Sequence, residues 1–257
     1  MRVLCVTSFA ADMLPSGLRL IESVGRRSEL DLLICHEGLD ASCLEGSTRR
    51  LRYDIGQSPF LRGWLRANAD LIPRELGGTT GACDCGAASP FQGHREGCHW
   101  FWFNRNAARW FRKVVALDHA RTIAPYDILL WLDADCRLRR RLGSMQVAEW
   151  IGTSSVFFLK SPDRRVMESG VLGIRMDGHG KRFISLTADR FRSGAFKRYP
   201  RWDDGYHFQV TLDENPDIPA VDLATTVTGG TFVVPNSPVG RYISHDKGLH
   251  RRLAIMC

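Results

Sequence analysis

The order of apolar and polar positions along the chain predicts a sheet interleaved with helices. Arg2 to Thr7 is an apolar run of strand length, followed by a loop holding Ser8, Pro15, Ser16 and Gly17. Leu18 to Val24 then has helical character, and Leu30 to Cys35 is a second apolar strand. Strand, helix and strand in so short a span open a parallel α/β sheet. From about residue 42 to 99 the periodicity fades among glycines and the prolines at 59, 73 and 90, which predicts a loop-rich insertion. Phe103 to Ile123 carries apolar residues at helical spacing until Pro125 ends it. Ile128 to Leu132 is uninterrupted and fits a central strand buried on both faces. Beyond it come a short helix around Val147 to Trp150, strands at Ser155–Leu159 and Gly170–Ile174, and a basic amphipathic helix at Lys181–Arg192. A further helix begins near Trp202-Asp203-Asp204, and a β-rich tail at Val227–Val234 leads to Tyr242–Gly248. No repeat, low-complexity tract or interdomain linker interrupts this series, so residues 1–257 read as one domain with a Cys- and Gly-rich insertion at about 42–99.

Composition narrows the setting. A content of 44% hydrophobic and 25% charged residues is that of a soluble globular protein. No apolar run approaches the roughly 18 residues of a membrane span. The N-terminus lacks the plan of a signal peptide, so the expected place is a cytoplasm, the host's if the chain is phage-encoded. Of the eight cysteines, Cys5, Cys35 and Cys136 lie in or beside apolar strands and read as core. Lysine and arginine outnumber acids 35 to 28, and the arginines cluster: Arg49, Arg50 and Arg52; Arg105, Arg109 and Arg112; Arg137, Arg139, Arg140 and Arg141. Such a surface favours polyanionic partners.

The chemistry concentrates in Leu129-Leu130-Trp131-Leu132-Asp133-Ala134-Asp135. Two carboxylates spaced i, i+2 at the end of a buried strand protrude where such sheets bind ligands. A divalent cation shared with two phosphates gives them a reason to stay charged, since Mn²⁺ and Mg²⁺ prefer oxygen ligands. The bland alternative is a strand-end turn whose aspartates cap backbone amides.

The order of first strand, lysine-bearing helix, apolar strand, D-x-D, acidic pair and late histidine resembles GT-A-fold glycosyltransferases, over roughly Arg2–Cys35 and Trp100–Leu253. That resemblance implies a mixed, mostly parallel, Rossmann-like sheet flanked by helices. It also implies a nucleoside-diphosphate-sugar donor, UDP-sugar foremost, with Mn²⁺ or Mg²⁺. By position, Thr7 and Ser8 would lie near the donor base or ribose, Asp133 near the ribose or metal, and Asp135 on the metal. His245 matches the late histidine that adds a metal ligand, Lys247 would neutralise the leaving diphosphate, and Lys113 resembles a basic residue that meets the donor. The acidic pair Asp203-Asp204 would supply the general base, Asp204 before Asp203, although one of the two also suits a helix cap. Gly170, in a strand of small residues, would let the acceptor approach, and Trp202 would form an apolar platform for it.

Cys83, Cys85, Cys98 and His99 in the insertion form a candidate structural zinc site, with mobile free thiols as the alternative. The acceptor stays open between a hydroxymethylated base in phage DNA and a bacterial glycan, lipid-linked sugar or protein. Outside this class stand a non-catalytic nucleic-acid-binding protein and a nucleotidyltransferase, the latter lacking the expected glycine density between Thr7 and Gly17.

Overall fold

The computed structural model describes residues 1–44, 50–69, 106–160, 166–224 and 233–246. Seven strands form one sheet: β1 (Val3–Ala10), β2 (Asp31–Glu37), β3 (Arg50–Asp54), β4 (Ile128–Leu132), β6 (Val156–Leu159), β7 (Glu168–Arg175) and β8 (Ala220–Asp222). Their order is β3-β2-β1-β4-β7-β6-β8. The pairs β3/β2, β2/β1, β1/β4 and β6/β8 are parallel, whereas β7 runs antiparallel to both β4 and β6. This is the mixed, mostly parallel sheet flanked by helices expected from the sequence. A separate two-stranded ribbon joins β5 (Cys136–Leu138) to β9 (Ile243–His245), with Cys136 opposite His245.

Alternation along the strands divides the apolar residues between two faces. Leu129 and Trp131 of β4 join the core on one face; there α2 (Pro59–Ala67), α3 (Ala107–Ala120), α5 (Gly178–Arg192) and α6 (Asp204–Asp213) pack. Ile128, Leu130 and Leu132 join the other, with α1 (Leu14–Arg27), α4 (Ser144–Ile151) and the β5/β9 ribbon. Every residue of β4 is buried, which is why its sequence is uniformly apolar. Local signals start the helices: the Asn106 side chain accepts from the Arg109 amide at 3.1 Å, and Asp177 accepts from the Gly180 amide at 2.7 Å.

Two stretches differ from expectation. Within the segment read as a loop-rich insertion, Arg50–Asp54 forms edge strand β3, and Pro59–Ala67 forms α2, begun by the Ser58 cap and Pro59. An edge strand carrying Arg50, Arg52 and Asp54 shows little apolar alternation because much of it faces water. In the tail read as β-rich, Val233 is in the right-handed helical region and Val234–Asn236 is a 3-10 turn, driven by Pro235; residues 225–232 lie outside the described residues. Among the described residues, no helix is long and apolar enough to cross a membrane.

Candidate active site

In the strand order, the chain leaving β1 goes to β2 on one side and the chain leaving its neighbour β4 goes to β6 on the other, so the two connections diverge. In open α/β sheets, ligands bind at the carboxyl ends of strands beside such a divergence. A crevice of about 390 Å³ occupies this position, lined by Ser8 from β1, Glu37 from β2, Arg109 and Lys113 from α3, and Asp133 and Asp135 beyond β4. That volume suits a ligand of small-molecule size. On its wall the Arg112 guanidinium holds both oxygens of Glu37, through Nε to Oε2 and Nη2 to Oε1.

The two aspartates divide their labour. Asp133 Oδ1 accepts from Trp131 Nε1 at 2.7 Å and lies 2.8 Å from Lys113 Nζ; its backbone amide donates to Gly170 O. Asp133 Oδ2 is turned to the other side, 3.9 Å from His245 Nε2. Asp135 Oδ1 lies 3.0 Å from the same Nε2. Pairing of β9 with β5 delivers His245 to this spot, and the Asp246 amide donates to Asp135 O at 2.9 Å. His245 Nδ1 is 3.6 Å from Glu168 Oε1, so its ring sits among three carboxylates. Burial alone would lower the imidazole pKa, but Asp135, Glu168 and Asp133 outweigh it and raise it.

Lys113 is buried, not on a solvated helix face. Its ammonium lies over the face of the Trp131 ring, 5.0 Å from the centroid. Its ammonium reaches Asp133, Asp204 Oδ2 at 2.5 Å, and the Ser169 carbonyl at 2.9 Å. Desolvation works against its charge, yet Asp133 and Asp204 prevail and its pKa stays above the ordinary lysine value. Asp133 is held below the usual carboxylate range: Lys113 and His245 overcome its burial. Asp204 is raised, chiefly by burial and opposed by Lys113. Its contact with Lys113 is an ion pair without hydrogen-bond alignment, while Oδ1 accepts from the Gly205 amide at 2.8 Å.

The other expected site residues separate. Asp203 is the cap: Oδ1 accepts from the Tyr206 amide at 3.1 Å and Oδ2 from Arg201 Nε at 2.8 Å. Trp202, expected as a platform, is buried: it packs edge-on against Phe196, with centroids 5.3 Å apart, and its indole donates to Tyr199 O. Burial of so large a ring stabilises the core more than exposure to an acceptor would allow. Gly170 does not face open space for an acceptor either. A Cβ there would overlap Cε1 and Nδ1 of His245, so its glycine makes room for that ring. Ser8 lines the crevice, whereas Thr7 is fully buried and its Oγ1 makes no hydrogen bond among the described residues. Lys247 and the proposed zinc ligands Cys83, Cys85, Cys98 and His99 lie outside the described residues.

Three participants escaped the sequence reading. Glu168 is a buried acid heading an apolar strand, a pattern that marks a charge needing a partner. Glu37 lines the crevice from the end of β2, where an acid after an apolar run was the available sign. Cys136 lies in the core, as its apolar surroundings in sequence predict, and its Sγ also falls within 4.8 Å of ligand atoms of Asp135 and His245. It donates to Gly170 O at 3.4 Å, and burial together with the surrounding carboxylates lifts its pKa well above the usual thiol value. Cys5 and Cys35 are likewise buried free thiols.

No protein-family model matches the chain, and no curated protein matches it. Among solved structures, the apo crystal structure of mouse xyloside xylosyltransferase 1 resembles it with a TM-score of 0.49 and 11% identity, over 87% of this chain and 85% of that one.

Proposed function

We propose that the protein is a metal-assisted glycosyltransferase, moving a sugar from a nucleoside-diphosphate donor, UDP-sugar foremost, onto an acceptor hydroxyl. The observation that carries this reading is the convergence of Asp133, Asp135 and His245 beside the crevice at the β1/β4 strand ends. The donor set fits Mn²⁺ or Mg²⁺: Asp135 and His245 would hold the ion, with Asp133 Oδ2 adjoining, and Gly170 leaves the imidazole its place. Such an ion, when bound, neutralises charge on the diphosphate and helps it leave. The buried thiol of Cys136 is a poorer match to these hard cations and is left out of the set.

The chain's own groups account for the remaining demands. Arg109 and Lys113 place positive charge along the crevice wall, where donor phosphates would lie. Ser8 and Glu37 occupy its β1 and β2 edges and would meet the ribose or base. Transfer breaks the bond between the anomeric carbon and the diphosphate oxygen and forms one to the acceptor oxygen, through an oxocarbenium-like transition state. The acceptor's proton must go to a base, and Asp204 has the raised carboxyl suited to that task. Lys113, between Asp204 and Asp133, would keep that carboxylate oriented and couple it to the donor side. Lys247, two residues beyond His245, would add charge at the leaving group. For the acceptor, the arginine surface favours a polyanion, with hydroxymethylated DNA ahead of a glycan, lipid-linked sugar or protein.

Calorimetric titration with UDP-, GDP- and CDP-sugars, with and without Mn²⁺, tests the proposal. Asp135→Ala is expected to abolish metal-dependent donor binding. Asp204→Asn is expected to keep binding and lose at least about a hundredfold in transfer, the usual scale of a positioned base. Donor binding indifferent to Mn²⁺, or full activity in both variants, overturns it.

A further inference from the structure

The fold brings the arginine cluster at Arg137 to Arg141 onto one face with a further pair from α1. The C-terminal turn of α1 carries Arg26 and Arg27, β5 carries Arg137, and the segment leaving β5 carries Arg139, Arg140 and Arg141. They are fastened together by the backbone. Arg27 Nη1 donates to Leu138 O at 2.6 Å, the Leu142 amide donates to Arg27 O at 2.8 Å, and Ser28 bridges to Leu142. Along β5 the burial alternates, with Cys136 and Leu138 inside and Arg137 outside, and Arg139 to Arg141 continue exposed. The acids touching this face pair at its rim: Glu22 with Arg26 at 2.9 Å, Glu29 with Arg141 at 3.6 Å, Asp246 with Arg137 at 3.7 Å. Such exposed pairs exchange readily for another anion, since each contributes about 0–1 kcal/mol.

Position gives the face its meaning. Arg137 follows Cys136 directly and is paired with Ser244, the neighbour of His245, so the arginine row starts at the edge of the candidate active site and runs away from it. We infer that this face binds the phosphodiester backbone of a nucleic acid and so presents a nucleic-acid acceptor to the adjoining crevice. The choice of arginine is part of the argument: its planar fork contacts phosphate oxygens in pairs and holds a register that a point charge does not. An anionic membrane offers the same charge, but stable interfacial binding needs a continuous apolar face. Among the described residues, the exposed large apolar side chains on α1 and α4, Leu18 and Met145, sit singly on different helices. The identification of the nucleic acid as acceptor rests on the glycosyl-transfer reading; its binding does not.

The test is fluorescence anisotropy of labelled duplex and single-stranded DNA, repeated across a salt series. The variants are Arg139→Gln/Arg140→Gln/Arg141→Gln and, as a control on the opposite face of the sheet, Arg62→Gln/Arg66→Gln on α2. The triple variant should bind at least about tenfold more weakly near 0.1 M salt, with a shallower log–log salt slope, each lost phosphate contact removing about 0.7–0.9. The control should match the parent, and Mn²⁺-dependent hydrolysis of the donor sugar should be the same in all three. An unchanged salt slope in the triple variant overturns the inference, as does binding to phosphatidylserine vesicles in place of DNA. Loss of donor hydrolysis with DNA binding intact would instead count against the glycosyl-transfer reading.

Discussion

Gly170 shows how one missing methyl group shapes the site. His245 occupies the space a Cβ would fill, so Gly170→Ala must displace the ring or the strand. The expected result is a protein less stable by about 1–3 kcal/mol, the usual range for overpacking. Its Mn²⁺ affinity should fall at least about tenfold, the low end for disturbed support of a metal ligand; unchanged affinity by calorimetry would show that His245 is not a ligand. His207 makes a second case. It is fully buried between Phe191, Tyr199 and Tyr206, with neither ring nitrogen in a well-formed hydrogen bond among the described residues. Burial, aided by the Arg190 charge, pushes its pKa down to about 3. The unfolded chain therefore binds a proton here that the folded chain refuses. Its contribution is fully present above the ordinary value of 6.5 and is lost as pH falls towards about 3. The slope approaches about 1.4 kcal/mol per pH unit within that window. Urea unfolding of His207→Leu should show a flatter acid limb than the parent between these limits. At this scale the aspartates after β4 stood out as charge at the end of an apolar strand, and His245 was named only through the family resemblance; the structure brings the three together. The roles of Trp202 and Gly170 were not legible, because the neighbours that fix them, Phe196 and His245, are brought up by the fold.

Among the elements, α6 couples stability to the site. Asp203 caps it and Asp204, the next residue, faces Lys113, so neighbouring carboxylates with the same side chain serve different ends. Asp203→Ala should cost about 1 kcal/mol, within the 0.5–2 found for lost caps. Thermal unfolding measures this, and no loss would mean that the cap adds nothing measurable to the stability of α6. The strands buried on both faces were the most legible elements; β4 has the predicted limits, Ile128–Leu132. Edge strand β3 was hidden because its partner lies on one side only and its residues answer largely to water. The β5/β9 ribbon was equally hidden. Three-residue strands carry too little pattern to read, and their pairing is set by distant chain.

For the whole molecule, the alternation of strands and helices was enough to assign a parallel α/β sheet; its mixed character was implied only by the family resemblance, and its order by neither. The reversal of β7 between β4 and β6 follows from connections that periodicity does not encode. Nor could the sequence reveal that two arginine groups share a face, since the contact between α1 and β5 is tertiary. The crevice was legible only as a consequence of topology: once β1 has neighbours on both sides, the acidic end of β4 must fall beside it.

The cross-strand partnership of Cys136 with His245 carries a kinetic consequence. It closes one of the longer loops in the chain with a ribbon of few hydrogen bonds, so it should form late and open early, ahead of the seven-stranded sheet. A cation gripped from both sides of the ribbon would act as a latch on this opening. Manganese is thus expected to slow deuterium uptake at Ser244 and His245 while leaving the slow amides of β1 and β4 at their original rates. Uniform slowing across the sheet, or none at all, would separate the ion from the latch.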